Sequence, residues 1–195
     1  VETFNHTLFL AINATPSSPD WLLTLAQFFA QDLIVLVPAT LVILWFWSSR
    51  RKLVVNTATA LVIAVAITST IRAIYPHTRP FVDGVGYQFM AHSASASFPS
   101  NHGTLIFTFA FAFLFWQGRK SAAVLFSTGL LIAWSRIYLG VHWPIDMVGA
   151  ALVGLIACAI AQIILPHVGQ PVLQLAEQGY RLLFSPFIRK GWIKN

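Results

Sequence analysis

Charge is what this chain has least of. Asp, Glu, Lys and Arg together make up 9% of its 195 residues, where a soluble domain carries about 25%. That scarcity excludes an ordinary soluble fold and points to one membrane-embedded domain over residues 1–195. Cysteine is nearly absent as well. With Cys158 alone, no intramolecular disulfide can form. Carboxylates are few and scattered: Glu2, Asp20, Asp32, Asp83, Asp146 and Glu177 are all there are. No HExxH and no paired acidic motif occurs, and hard cations want clustered oxygens. The expectation is therefore no catalytic metal and no cofactor. The N-terminus carries Glu2 in place of a basic cluster, so no cleavable signal peptide is expected. No repeat or low-complexity segment occurs.

Apolar residues are abundant, at 57% of the chain. They fall into five runs that read as membrane spans: Trp21–Trp47, Leu53–Ile71, Ser100–Trp116, Ala122–Gly140 and Ile145–Leu165. Pro38 is placed to kink the first. Asp32, in the polar third of that run, reads as an interfacial or paired acid before it reads as catalytic. Phe4, Leu8 and Ile12 recur at helical spacing in a segment too short to cross, so Glu2–Ala14 is expected to lie in the interface. Pro171–Phe184 is expected to do the same at the other end. The fold class expected is all-α: a polytopic bundle of about five spans with interfacial helices at both termini.

A net charge of +6 would suggest nucleic acid in a soluble protein. Here the distribution argues otherwise. Nine of the twelve basic residues fall on connections that alternate to one side: Arg50, Arg51, Lys52, Arg119, Lys120, Arg181, Arg189, Lys190 and Lys194. Basic loops mark the cytoplasmic side. The remaining three are Arg72, Arg79 and Arg136, and this topology carries them to the outer face, periplasmic in a Gram-negative cell. No nucleic-acid partner is expected.

Those three arginines lie in three polar stretches, RAIYPHTRP, FPSNHG and SRIYLGVHWPID. In the last, His142 and Asp146 stand four residues apart around Pro144. Proline suits the first turn of a helix. If the pair flanks that turn, the carboxylate can hold one ring nitrogen and leave the other free to attack. Three guanidiniums converging on one face make an anion site, because their forks match phosphate oxygens. Ser100 sits at an N-cap position. The amides of Asn101, His102 and Gly103 can then face a phosphate with help from the helix dipole. His77 and His92 read as solvated loop residues.

Taken in order, the three stretches resemble the signature of the type 2 phosphatidic acid phosphatase superfamily, membrane lipid phosphatases related to vanadium haloperoxidases. That signature runs KxxxxxxRP, PSGH, SRxxxxxHxxxD. The third motif matches at every fixed position. Asn101 stands where glycine is usual in the second, and Arg72 replaces lysine in the first. The resemblance implies that His142 attacks the terminal phosphorus, that Asp146 holds its ring, and that His102 protonates the leaving oxygen and then activates water. It makes Arg72, Arg79, Ser100, Asn101, Gly103 and Arg136 the phosphate-binding set. Within the family, the compact length, FPSNHG and the RKGW-containing tail look most like bacterial undecaprenyl-diphosphate phosphatases. The implied partners are a lipid diphosphate substrate and membrane lipid. Phosphatidylglycerophosphate or phosphatidic acid hydrolysis, phosphate transfer to lipid A, and lipid-phosphate transport are the alternatives. A transporter would need the arginines but not the His142, Asp146 and His102 set.

Overall fold

A computed structural model describes residues 2–194. It is all-helical: α1 (Glu2–Ile12), α2 (Asp20–Gln31), a 3-10 turn (Leu33–Val35), α3 (Leu36–Trp47), α4 (Arg51–Ile74), α5 (Asn101–Trp116), α6 (Arg119–Tyr138) and α7 (Pro144–Arg189). Helices α2 with α3, α4, α6 and α7 are each long and apolar enough to cross a membrane, and α5 is a shorter apolar helix of 16 residues. The protein is a multi-pass membrane protein.

The first span is broken at Asp32, where α2 gives way to the 3-10 turn. Pro38 falls in the first turn of α3, where a missing N–H costs nothing. The proline thus starts the second half of the span. At the other end, the expected separate helix at 171–184 does not exist. The last span continues without a break through Pro166, Pro171 and Pro186 to Arg189. At about 1.5 Å per residue such a helix is roughly 70 Å long, far more than the hydrocarbon core requires.

The core is formed by α4, α5, α6 and α7, with Ile106, Phe107, Phe109, Ile132 and Ala150 among its buried residues. Small residues bring α5 and α7 together. A Cβ at Gly154 would meet the Thr108 amide nitrogen at 2.7 Å, and one at Gly103 would meet the Ala150 Cβ at 2.9 Å. Close backbone approach of this kind is what packs helices in lipid.

The N-terminal segment is tied to the functional end of the bundle. Phe9 is fully buried and Asn5 nearly so. Asn5 Oδ1 accepts from the Ile145 amide at 3.0 Å, satisfying a free N–H at the start of α7. Asn13 bridges two segments of the fold: it accepts from Tyr87 N at 2.7 Å and donates to the carbonyls of Tyr87 and Tyr138. So α1 packs on α6 and α7 and holds the loops that α6 and α7 present.

Candidate active site

The third motif lies where α6 ends and α7 begins. The α6 helix stops at Tyr138, and Gly140 turns the chain with φ +78°. Only glycine fits there. A Cβ would meet the Tyr87 carbonyl oxygen at 2.0 Å, and positive φ is disfavoured for other residues. His142 follows, and Pro144 opens α7 with Asp146 in its first turn. His142 and Asp146 are both essentially inaccessible.

Their hydrogen bonds fix the ring. His142 Nδ1 lies 3.0 Å from Asp146 Oδ2. The same oxygen accepts from the Trp143 amide at 2.8 Å and from the Ser97 hydroxyl. On the far edge, Arg79 Nη1 donates to His142 Nε2 at 3.1 Å. A guanidinium can only donate, so Nε2 carries the lone pair and Nδ1 the proton. Burial, followed by the charges of Arg136 and Arg79, holds this imidazole well below the usual histidine range. It is neutral at physiological pH, with the Nε2 lone pair that nucleophilic attack by an imidazole requires.

Arg79 is 2% exposed. Its Nε donates to the Ser95 carbonyl at 2.9 Å, Nη1 to the Val141 carbonyl at 2.8 Å, and Nη2 to the Ala96 carbonyl at 3.3 Å. The guanidinium therefore clamps the 75–100 loop to the His142 loop. Burial, reinforced by Arg72, pushes it down to about 10 against the pull of Asp146, so it keeps its charge. Arg72, from the last turn of α4, donates to Ser95 Oγ and to the Ala96 carbonyl. Arg136, from the last turn of α6, donates from Nη1 to the Ala30 carbonyl at 2.9 Å, while its buried Nε has no partner among the described residues. The break in the first span thus serves the site: the chain leaves α2 just beyond the carbonyl that anchors Arg136.

A cavity of about 180 Å³ opens over His142. Arg72, Arg79 and Arg136 line it, together with Asn101 and His102 from the start of α5. All three motifs therefore meet in one chamber. Ser100 and Gly103 are placed differently. Ser100 Oγ caps α5 by accepting from the Gly103 amide at 3.3 Å, and neither residue lines the cavity. The Gly103 amide is thus already engaged, and its missing side chain makes room for α7. Asp32 is exposed and away from the chamber.

Several contributors were not read from the sequence. His92 reads from the sequence as solvated but is half-buried in the cavity wall, its ring centre 5.9 Å from that of His142. Burial, then the nearby arginines, lowers its pKa, although a bond to the Ser93 carbonyl opposes this. His77 stacks with Tyr75 and faces Asp146. Ser97 is fully buried on the Asp146 carboxylate. Its one sequence signal is position, two residues before Pro99 of the second motif. Among the described residues, no three His, Cys, Asp or Glu side chains cluster as a metal site would need.

Comparison with known proteins bears on this chamber. The sequence model of the PAP2 superfamily matches residues 52–168, which take in all three motifs. The chain is 47% identical over 197 residues to "Putative undecaprenyl-diphosphatase YbjG" of Escherichia coli (strain K12), covering 100% of both. It is 31% identical over 154 residues to undecaprenyl-diphosphatase BcrC of Bacillus subtilis (strain 168), covering 78% of this chain and 79% of that one. The crystal structure of Aquifex aeolicus LpxE superposes with a TM-score of 0.71 at 25% identity, over 82% of this chain and 94% of that one.

Proposed function

Because this chain belongs to the PAP2 superfamily, we propose that it hydrolyses undecaprenyl diphosphate to undecaprenyl phosphate and inorganic phosphate within the membrane. The observation that carries the chemistry is a neutral, oriented imidazole facing a chamber lined by three guanidiniums. The full-length likeness to the Escherichia coli protein and the likeness to the Bacillus subtilis enzyme support the substrate. The reaction returns the lipid carrier used in peptidoglycan synthesis, and bacitracin resistance follows from that recycling.

The steps are these. The terminal phosphoryl group enters the chamber, and Arg79 turns its Nη1 proton from His142 Nε2 to a phosphoryl oxygen. Arg72 and the uncommitted donors of Arg136 take the others, where charge must be balanced in phosphoryl transfer. Nε2 attacks phosphorus in line, and the bond to the bridging oxygen breaks. His102, protonated once the negative charge of the diphosphate lies beside it, gives its proton to that oxygen as undecaprenyl phosphate leaves. Asp146 stabilises the phosphorylated, cationic ring through Nδ1–H. His102, now a base, takes a proton from water, the hydroxide attacks phosphorus, and phosphate departs with His142 restored. Protein-bound metal is not part of the scheme.

A second hollow of about 230 Å³ between α4 and α5 shares Asn101 with the chamber and is lined by Val65, Thr68, Ser69, Thr104 and Leu105. Val65 is on the outer surface. A prenyl chain leaving the chamber along this hollow would pass directly into lipid, with Asn101 at the junction. Both basic connections, at Arg50–Lys52 and beside Gln117, come together at the opposite end of the bundle. With basic loops on the cytoplasmic side, the chamber faces outward.

The test is kcat/KM for undecaprenyl and farnesyl diphosphate against phosphatidylglycerophosphate and phosphatidic acid in one detergent. The prenyl diphosphates are expected to be preferred. A clear preference for either phospholipid would reassign the substrate.

A further inference from the structure

Four buried side-chain atoms have no hydrogen-bond partner among the described residues, and two of them face each other: His77 Nδ1 and Asp146 Oδ1, 3.9 Å apart. One is a donor in the right tautomer and the other an acceptor. Buried polar atoms left bare are costly and rare. The two oxygens of Asp146 are unequally served. Oδ2 takes His142, Ser97 and Trp143, while Oδ1 takes nothing. A bridging water does not fit, since two hydrogen bonds of about 2.8 Å at a bent water span roughly 4.5 Å. Direct closure needs a movement of only about 1 Å.

The surroundings hold His77 ready for it. Its carbonyl accepts from the Ser97 amide at 2.7 Å, which pins its backbone beside the Asp146 carboxylate. Its ring stacks on Tyr75 at 5.9 Å and meets the edge of Trp143 at 6.5 Å. Trp143 is in turn fixed by its Nε1 bond to the Thr78 carbonyl at 2.9 Å.

We infer that His77 is a positioning residue which donates from Nδ1 to the free Oδ1 of Asp146, completing the carboxylate that holds His142. With both oxygens bonded, the carboxylate stays ionised and its plane is fixed. It then keeps the proton on His142 Nδ1 and supports the cationic phosphorylated ring. The inference rests on the reading of His142 as nucleophile.

Amide side chains separate donor from packing. The Asn amide nitrogen falls where His Nδ1 lies, the Gln amide nitrogen falls nearer Nε2, and Phe keeps only the ring. The experiment measures kcat, KM and the thermal midpoint for His77→Asn, His77→Gln and His77→Phe with farnesyl diphosphate. Loss of one bond to a buried charge lowers kcat about 10-fold in the Phe and Gln variants with KM within about twofold, while Asn stays within about threefold of wild type. Full activity in His77→Phe, or an Asn variant as slow as the Gln variant, would overturn the inference. The nucleophile reading fails separately, by phosphate release from a His142→Ala protein.

Discussion

Arg79 Nη1 lies 3.1 Å from His142 Nε2, so the arginine proposed to hold phosphate occupies the lone pair of the proposed nucleophile. The same guanidinium satisfies carbonyls at Ser95, Ala96 and Val141. One side chain thus shapes the loop and occupies the His142 lone pair, and in the proposed mechanism it also neutralises the phosphate. Lysine offers a point charge without the planar fork. Arg79→Lys is therefore expected to lower kcat/KM by at least about 10-fold, and also to lower the thermal midpoint, because buried carbonyls lose donors. A lysine variant with unchanged stability and activity would mean that the clamp is not needed.

Ser97 donates to the oxygen of Asp146 that also holds His142. Removing a hydrogen bond to a buried charge costs about 1.5–3 kcal/mol. Ser97→Ala should reduce kcat by about 10-fold or more, with KM little changed, because the serine touches the carboxylate and not the substrate. A rise in KM at constant kcat would instead assign Ser97 to binding.

Gly140 is held at φ +78° against the Tyr87 carbonyl. Even alanine is strained here, and its Cβ has nowhere to go. Gly140→Ala should displace the His142 loop and remove activity along with a measurable part of the thermal stability. Gly84, also at positive φ but with open space around it, is the control: Gly84→Ala should leave activity near wild type.

Stability should fall on the acid side. The folded protein keeps His142 and His92 below the usual histidine range. The unfolded chain takes up those protons near pH ~6.5. Above that value neither state binds them and stability is undiminished. As pH falls below it, the unfolded state gains protons that the folded state refuses, and stability declines. The thermal midpoint in detergent should be level from about pH 8 to 7 and drop toward about pH 5, less steeply in His142→Asn. An identical slope in that variant would contradict this origin.

The spans and the third motif could be read directly because each depends on local pattern. Apolar run length gives a span, and His142, Pro144 and Asp146 lie close together in sequence at the start of α7. What the sequence hid depends on closure in space. Ser97, His77 and His92 sit in a polar loop with no periodicity, and the hydrogen bonds of Arg79 and Arg72 to Ser95 and Ala96 bring that loop over His142. Ser100 reads correctly as a cap, but the cap consumes the Gly103 amide that the sequence pattern offers to phosphate. The break in the first span falls in the turn before Pro38, whereas Pro166, Pro171 and Pro186 are carried inside α7 without ending it.

The most direct measurement is a rapid quench of the detergent-solubilised enzyme with farnesyl diphosphate labelled in its terminal phosphate. Wild type should show a transient protein-bound phosphate that is stable in base, labile in acid and located by peptide mapping at His142. His142→Ala should show neither label nor phosphate release while keeping the wild-type thermal midpoint to within the loss of one buried ring. Label on another residue, or near wild-type phosphate release from His142→Ala, would contradict the assignment of His142 as the nucleophile.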